Sequence, residues 1–118
     1  VLSLDARPEL RSVEQSYRRI LGRIAESLNL PGLAIRGTSD LVLGGRKVSG
    51  NAQRRGRRAL LHHGTFLYDF DVRWMERYLP DPDRQPPYRA RRRHADFVTN
   101  LPLEPKTIKE AIASAVQW

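Results

Sequence analysis

The order of apolar and polar positions predicts one long helix early in the chain. Apolar residues recur at three- and four-residue steps from Val13 to Leu28, which places them on one face of an amphipathic helix. Ser12 and Gln15 carry the signature of a capping box at its start, and Pro31-Gly32 ends it. The residues expected to face a core are Val13, Tyr17, Ile20, Leu21, Ile24 and Leu28.

Beyond this helix apolar and polar residues recur with a period of two, which is typical of strands. Val1–Leu4 resembles the end of a strand, and short strands are predicted over 33–36 and 40–43. Gly44-Gly45 is predicted to form a tight hairpin turn between strand 40–43 and a second strand, the second arm of the hairpin. This second arm covers 46–53, a basic turn covers 54–58, and a long strand covers 59–70. Strands joined by such short turns form an antiparallel meander.

The pattern of apolar residues in the second half of the chain predicts two more helices. Residues 71–79 form a short helix with Val72, Met75 and Leu79 on one stripe, followed by a proline-rich extended loop over 80–87. A capping box at Thr107 opens a last helix. Its expected inward residues are Ile108, Ile112, Ala115 and Val116. The predicted fold class is α+β, an antiparallel sheet with flanking helices segregated to one side.

Length and composition narrow the classes of protein. A chain of 118 residues is the size of one domain, and its 40% hydrophobic and 29% charged residues are typical of a globular protein. No apolar run is long enough for a membrane span, and no signal-peptide pattern is present. The absence of cysteine excludes a disulfide framework, thiol catalysis and Cys-ligated zinc within the chain. We therefore expect a cytoplasmic protein without a membrane partner.

Basic residues are clustered, and the formal net charge is +8. Such clusters favour an anionic partner, which could be a nucleotide, a nucleic acid or an acidic protein. An ordinary solvated arginine-rich surface is the alternative. The two clusters contain Arg46, Lys47, Arg54, Arg55, Arg57 and Arg58, and then Arg84, Arg89, Arg91, Arg92 and Arg93.

Lys47 is the candidate for chemistry on the second arm. Strict alternation would place Ser49 and Asn51 on its face and Gly50 on the other, with Val48 and Ala52. A glycine inside a strand indicates either a bulge or a close approach by ligand or backbone. The alternative for Lys47 is an exposed strand lysine.

The next strand carries a second group of polar residues. His62 and His63 are adjacent, so they face opposite ways and cannot ligate one metal together. We expect no metal site from protein side chains. Gly64 indicates crowding, and Thr65 is either a strand former or a donor to phosphate.

Four segments together resemble the lipoate–protein ligase family, and the resemblance covers residues 12–118. They are Asp40-Leu41, Gly45–Gln53, Leu61–Leu67, and Arg93–Leu101 with its terminal Thr-Asn-Leu. Several motifs in register are more specific than any one of them.

The resemblance implies the fold of biotin ligases and class II synthetase-like catalytic domains, and a two-step reaction. ATP with Mg²⁺ would activate lipoate or octanoate as an acyl-adenylate, and the acyl group would pass to a lysine of a lipoyl carrier domain. Lys47 matches the lysine that contacts the lipoyl carbonyl and the α-phosphate. The residues that match the wall of the adenylate pocket are Asp40, Ser49, Gly50, Ala52, His63, Gly64 and Thr65.

The sequence departs from the family pattern in two respects. The upstream Arg-Arg and glycine-rich loop is absent, and Val1–Leu4 resembles the segment that comes directly after that loop, so we expect 1–118 to be a partial catalytic domain without its upstream strands. Such a chain would be inactive alone and would need the upstream half as a partner. Related octanoyltransferases use a cysteine nucleophile, so a chain without cysteine favours the ligase.

The sequence leaves three partner hypotheses. An acidic lipoyl carrier domain could dock on Arg54, Arg55, Arg57 and Arg58, which we expect beside the pocket. The chain could instead be a non-catalytic subunit that completes a split ligase. A nucleic-acid-binding module, with Tyr88 or Phe97 for stacking, is disfavoured because the strand aromatics look like core residues.

Overall fold

The computed structural model describes residues 1–118 and contains five strands and four α-helices. Its fold class is α+β, as the sequence predicted. Two short 3₁₀ turns, Pro8–Leu10 and Pro87–Arg89, complete the secondary structure. The elements are β1 Leu2–Ser3, α1 Val13–Leu28, β2 Leu33–Arg36, β3 Asp40–Leu43, β4 Arg46–Arg55, β5 Ala59–Phe66, α2 Arg73–Tyr78, α3 His94–Phe97 and α4 Pro105–Ala115.

All five strands form one antiparallel sheet in the order β1-β5-β4-β3-β2. The predicted meander from β2 to β5 is confirmed. β1 adds a short strand beyond β5, where it covers only Ala59 and Leu60. The remainder of β5 therefore forms an edge of the sheet.

α1 follows the predicted pattern because its ends are chemically specified. The Ser12 hydroxyl accepts a hydrogen bond from the Gln15 N–H at 3.3 Å, which satisfies one of the free amides of the first turn. At the other end Asn29 has φ 46° and donates its N–H to Ala25 and Glu26, which closes the helix.

The core lies between one face of the sheet and the pair α1 and α4. Leu21 from α1 and Leu41 and Val48 from the sheet are all fully buried there. Complete burial of such a side chain contributes about 1.5–3 kcal/mol to folding, so this layer holds the sheet in place. Ile108 and Ala115 of α4 are buried in the same cluster.

The second half of the chain departs from several predictions. α4 begins at Pro105 instead of Thr107, because a proline suits the first helical turn, and no side chain caps that end. Val116, expected inward, is 54% exposed because the helix ends before it. β5 ends at Phe66 instead of 70, since the Leu67 carbonyl accepts the Leu101 N–H at 2.7 Å and leaves the ladder.

The helix predicted over 71–79 is shorter and less buried than expected. α2 covers only Arg73–Tyr78 and has no buried residue, and Leu79 is 53% exposed. α3 was not predicted at all, because four residues are too few to show a helical period.

Gly64 on β5 has a specific packing role. The side chain of its partner Asn51 lies over its Cα, and a Cβ built there would overlap the Asn51 carboxamide. That carboxamide donates to the Ser39 carbonyl at 2.9 Å and to the Ser49 hydroxyl at 3.0 Å, so it is not free to move aside. The crowding that the sequence indicated at Gly64 is thus confirmed, and its source is another residue of the chain.

We therefore expect Gly64→Ala to lower the free energy of unfolding by about 1–3 kcal/mol, the usual effect of overpacking. Urea denaturation measures this. The matched control is Gly22→Ala on α1, where a Cβ meets nothing within 4 Å and helix propensity should raise stability by about 0.5–1 kcal/mol. Equal stability of Gly64→Ala and the wild type would contradict the packing role.

Candidate active site

A β-bulge decides which way Lys47 points. Leu41 pairs with Ser49, but Val42 pairs with Lys47, so Val48 is an extra residue without a partner on β3. Val48 is fully buried in the core. The extra residue shifts the alternation of side chains by one along β4.

The bulge corrects the predicted face of the strand. Lys47 shares its face with Gly50 and with Asp40, the β3 partner of Gly50. Ser49 and Asn51 were expected on this face, but they turn to the α1 side, where the Asn51 amide donates to the Ser49 hydroxyl. The prediction was wrong because strict alternation takes no account of a bulge.

The Lys47 ammonium is held at the sheet surface by a carboxylate. Its Nζ lies 3.0 Å from Asp40 Oδ1, and the Asp40 side chain is only 10% exposed. A Cβ built at Gly50 would lie 2.9 Å from Lys47 Cε and 3.0 Å from Nζ, so the lysine lies flat across the glycine. The absence of a side chain at Gly50 therefore leaves the space in which the Lys47 ammonium lies.

Tyr88 engages the second oxygen of the same carboxylate. Its hydroxyl donates to Asp40 Oδ2 at 2.6 Å. Burial of the phenol, with the nearby Asp40 charge, raises the pKa of Tyr88 well above its usual range. The phenol therefore stays protonated and remains a donor, and Asp40 is shared between a phenol and an ammonium.

Lys47 opens onto a cavity of about 260 Å³ on the face opposite the core. Met75 of α2 and Phe97 of α3 form part of its wall, so two helices cover this face. The expectation that all helices lie on one side was wrong, because α2 and α3 are too short and too exposed to leave a core-like pattern. The lining residues are Lys47, Ser49, Gly50, Thr65, Leu67, Met75, Arg89, His94, Phe97 and Val98.

The segment after α3 fixes the start of β4. Val98 forms a parallel bridge with Lys47, and the Thr99 N–H donates to the Lys47 carbonyl at 2.8 Å. Asn100 exchanges two hydrogen bonds with the backbone of Phe70, at 2.8 and 3.1 Å. The Thr-Asn-Leu motif therefore holds the Lys47 backbone in place from the side of the cavity.

The other predicted site residues divide into two groups. Thr65, opposite Gly50 on β5, lines the cavity. Ala52 and His63 face each other further along the sheet, are exposed, and do not line it. Gly64 instead accommodates Asn51. Asp40, Lys47, Gly50 and Thr65 are thus gathered around one point, whereas the Ser49 hydroxyl lies on the α1 side and is bound by Asn51.

The basic turn lies away from this cavity. Lys47 and Arg54 are seven positions apart on one strand, about 23 Å at 3.3 Å per residue. The expectation that the turn sits beside the pocket was therefore wrong. Arg55 also turns inward, where it donates to Leu10 and Arg11 carbonyls at 2.6 and 2.9 Å and to Ser16 at 3.0 Å.

Arg89 is the residue of the cavity that the sequence pattern did not single out. Only 3% of it is exposed, and its guanidinium lies 4.8 Å from the centre of the Phe97 ring. Nε donates to the Arg92 carbonyl at 2.9 Å and Nη2 to Asp81 at 3.0 Å. In the sequence it was one arginine among five in its cluster, and charge alone does not show which of them is buried.

His62 and His63 face opposite sides of β5, as alternation predicted. His62 contacts Gln53 through Nδ1 at 3.3 Å and meets the edge of Tyr17. Burial, with a smaller effect of the neighbouring His63, lowers the pKa of His62 below 6.5. No group of three or more His, Cys, Asp or Glu is arranged to hold a metal ion.

Comparison with known sequences points to one family. A family model described as the lipoyl protein ligase A/B catalytic domain matches residues 1–117. The chain is 36% identical over 58 residues to a Plasmodium falciparum protein named inactive lipoate–protein ligase 2, covering 49% of the chain and 15% of that protein. It is 35% identical over 79 residues to octanoyltransferase LipM of Symbiobacterium thermophilum, covering 67% of the chain and 26% of that protein.

The fold has a counterpart among solved structures. The crystal structure of Plasmodium falciparum LipL1 in complex with lipoate superposes with a TM-score of 0.60 at 18% identity. The match covers 88% of this chain and 30% of that one. This chain thus spans less than a third of each of these proteins. None of its helices is long and apolar enough to cross a membrane.

The lowered pKa of His62 predicts a pH-dependent stability. In the unfolded chain His62 is protonated near pH 6.5, whereas in the folded chain it is protonated only at a lower pH. The free energy of unfolding should therefore fall as the pH drops below about 6.5. Urea denaturation across pH 5–8 measures this, and His62→Gln should flatten the slope. The control His63→Gln should keep most of it, since burial is the larger cause. An unchanged slope in His62→Gln would contradict the assignment.

Proposed function

We propose a function for this chain from the premise that it belongs to the lipoyl protein ligase A/B catalytic domain family. The chain supplies the Lys47 side of a site that activates lipoate or octanoate with ATP as an acyl-adenylate. The acyl group then passes to a lysine of a lipoyl carrier domain. The observation that carries the proposal is the Lys47 ammonium, which lies across Gly50, is paired with Asp40, and borders a cavity of about 260 Å³.

Lys47 suits both steps of this reaction. In the first, a carboxylate oxygen bonds to the α-phosphorus and pyrophosphate leaves, while negative charge grows on the phosphoryl oxygens. In the second, the carrier amine bonds to the acyl carbon and AMP leaves, while charge grows on the carbonyl oxygen. A cation held in a fixed position beside the reacting atoms stabilises both charges. Thr65, across the sheet from Gly50, places a hydroxyl on the same cavity wall.

Asp40 and Tyr88 keep the ammonium oriented. Because Asp40 binds Lys47 with one oxygen and Tyr88 with the other, it offers no free oxygen to a metal. Mg²⁺ would therefore arrive bound to the phosphates of ATP. Lipoate as the acid is supported by the name of the solved relative, whose complex contains it.

The remaining wall of the pocket is proposed to come from the upstream half of a ligase domain. Between Leu61 and Phe66 β5 has no neighbour on its outer side, because β1 covers only Ala59 and Leu60. A groove of about 480 Å³, lined mostly by apolar residues that include Phe66 and Trp118, runs beside that edge. An added strand would pair with the edge and cover the groove. Without it, we expect the chain to be inactive in adenylation.

A second candidate function is a non-catalytic subunit of a split ligase. One relative is named an inactive ligase, which favours this possibility. Another relative is named an octanoyltransferase. These 118 residues contain no cysteine, so they cannot supply the nucleophile for a cysteine-dependent octanoyl transfer. The two candidates differ in whether Lys47 takes part in catalysis.

The role of Lys47 predicts a large effect of its removal. In the chain combined with an upstream ligase half, Lys47→Ala should slow lipoate-dependent ATP–pyrophosphate exchange by ~100-fold or more, the usual loss for one charge-stabilising group. Gly50→Ala should also slow it, because the added Cβ displaces Nζ. Lys109→Ala is the matched control, since this lysine is exposed on α4, which packs on the face of the sheet opposite the cavity.

Two results would decide between the candidates. A complex that exchanges pyrophosphate at the same rate with Lys47→Ala would reject the catalytic role and leave the non-catalytic subunit. A full exchange rate from the chain alone would reject the need for an upstream half.

The basic turn predicts a separable effect on the carrier. We expect an acidic lipoyl domain to contact Arg54, Arg57 and Arg58, which are exposed, and not the inward-turned Arg55. Changing these three to Ser should weaken carrier binding and reduce its salt dependence, as measured by calorimetry. Arg55→Ser should mainly lower stability, because it removes bonds to Leu10 and Ser16. Unchanged carrier affinity in the triple variant would rule out this surface.

A further inference from the structure

α2 carries two large aromatic side chains that the fold leaves on the surface. Trp74 is 49% exposed and Tyr78 is 62% exposed. The two rings stack on each other, with their centroids 5.6 Å apart and an angle of 7° between their planes. Residues four positions apart lie on one face of a helix, so the rings form a continuous apolar surface. We call these two rings, together with Arg77, the α2 patch.

Arg77 gives the α2 patch an unpaired positive charge. Its guanidinium lies 5.3 Å from the centre of one ring and 6.0 Å from the centre of the other. The other two charged residues of α2 already have partners. Arg73 is paired with Asp71 at 2.7 Å, and Glu76 is paired with Arg93 at 3.1 Å. The α2 patch therefore attracts a negatively charged partner.

The α2 patch contributes little to the packing of the chain itself. α2 has six residues, and none of them is buried. Its contacts with the rest of the chain come from its other sides, where Met75 lines the cavity and Glu76 accepts the Ala95 N–H at 2.8 Å. Trp, Tyr and Arg are the residue types most enriched in the energetic centres of protein interfaces. The composition of the α2 patch therefore indicates a protein partner.

The α2 patch lies next to the cavity that Lys47 borders. Successive residues of a helix are turned by about 100°, so Met75, which lines the cavity, lies on the side of α2 adjacent to Trp74. In the proposed reaction the carrier lysine must enter this cavity to reach the acyl group. The carrier surface around that lysine is thereby brought against the elements that form the cavity wall, and α2 is one of them.

We propose that the α2 patch is a docking surface for the lipoyl carrier domain. The inference rests on the proposed function, from which it takes the identity of the partner. The aromatic rings bury apolar area of the carrier, and Arg77 pairs with a carboxylate of its acidic surface. The basic turn, about 23 Å from Lys47 along β4, is a separate surface that attracts the carrier by charge.

Trp74 can itself report docking. The chain has two tryptophans, so the variant Trp118→Phe leaves Trp74 as the single fluorophore of this type. We expect a tryptophan-free, unlipoylated lipoyl domain to protect this fluorescence from iodide quenching, because docking covers the indole. The same lipoyl domain with its surface Asp and Glu changed to Asn and Gln should protect it less, because Arg77 then has no counter-charge.

Removal of the rings should affect only the step that uses the carrier. In the chain combined with an upstream ligase half, the double variant Trp74→Ala, Tyr78→Ala should raise KM for the lipoyl domain by ~10-fold or more, the usual effect at an interface hot spot. Lipoate-dependent ATP–pyrophosphate exchange should stay unchanged, because the carrier takes no part in it. The rise in KM should persist at high salt, since salt screens charges and not apolar contacts.

A second variant separates the charge of the α2 patch from its rings. Arg77→Gln should raise KM for the lipoyl domain by a smaller factor, and this rise should disappear at high salt. Arg73→Gln is the matched control, since Arg73 is an exposed arginine of the same helix whose charge is already paired with Asp71. It should keep the wild-type KM.

Several results would overturn the docking surface. They are a wild-type KM in the double variant, an equal loss of exchange and of transfer, and protection of Trp74 by the upstream half alone. Stronger protection by single-stranded DNA than by the lipoyl domain would assign the α2 patch to nucleic acid instead.

The outcome is separable from that of the proposed function. A complex that binds the lipoyl domain through Trp74 but exchanges no pyrophosphate would reject the ligase function alone. Normal exchange and transfer that do not depend on the α2 patch would reject the docking surface alone.

Discussion

The candidate site depends on one extra residue in β4. Val48 interrupts the pairing of β3 with β4, keeps its own side chain in the core, and so sends Lys47 to the opposite face. Without this bulge the ammonium would lie on the other side of the sheet from Asp40. The buried valine secures the geometry, because moving Val48 out of the core would give up about 1.5–3 kcal/mol of apolar burial. The position of a polar group is thus held by a hydrophobic contact.

The charged groups around the cavity are supported by the irregular segment between β5 and α4. Tyr88 reaches Asp40 from this segment, and Thr99 pairs with the Lys47 backbone. Arg92 ties the segment to the hairpin turn through the Gly45 carbonyl at 3.0 Å. The sheet therefore supplies the lysine, while the loop supplies the partners that orient it and most of the cavity wall. This arrangement is common in proteins that carry chemistry on loops held by a rigid scaffold.

The family resemblance and the geometry of the cavity both single out Lys47. The family model covers almost the whole chain, and the lysine singled out by the resemblance is the one that borders a cavity lined by Arg89 and His94. The relatives include proteins named as a ligase without activity and as an octanoyltransferase, so the chemistry of this chain is decided by its own residues. Lys47, Gly50 and Asp40 hold an ammonium in a fixed position beside that cavity.

The sequence alone determined what depends on local chemistry: the capped helix α1, the antiparallel meander, and the lysine with a glycine close by. Periodicity and turn residues are local properties, so these features could be read from short windows. Only the tertiary structure decided which side chains share a face and which arginines are buried. The bulge at Val48, the inward turn of Arg55 and the burial of Arg89 arise from contacts between residues distant in the chain. Such contacts leave no periodic signal, because packing and not spacing selects them.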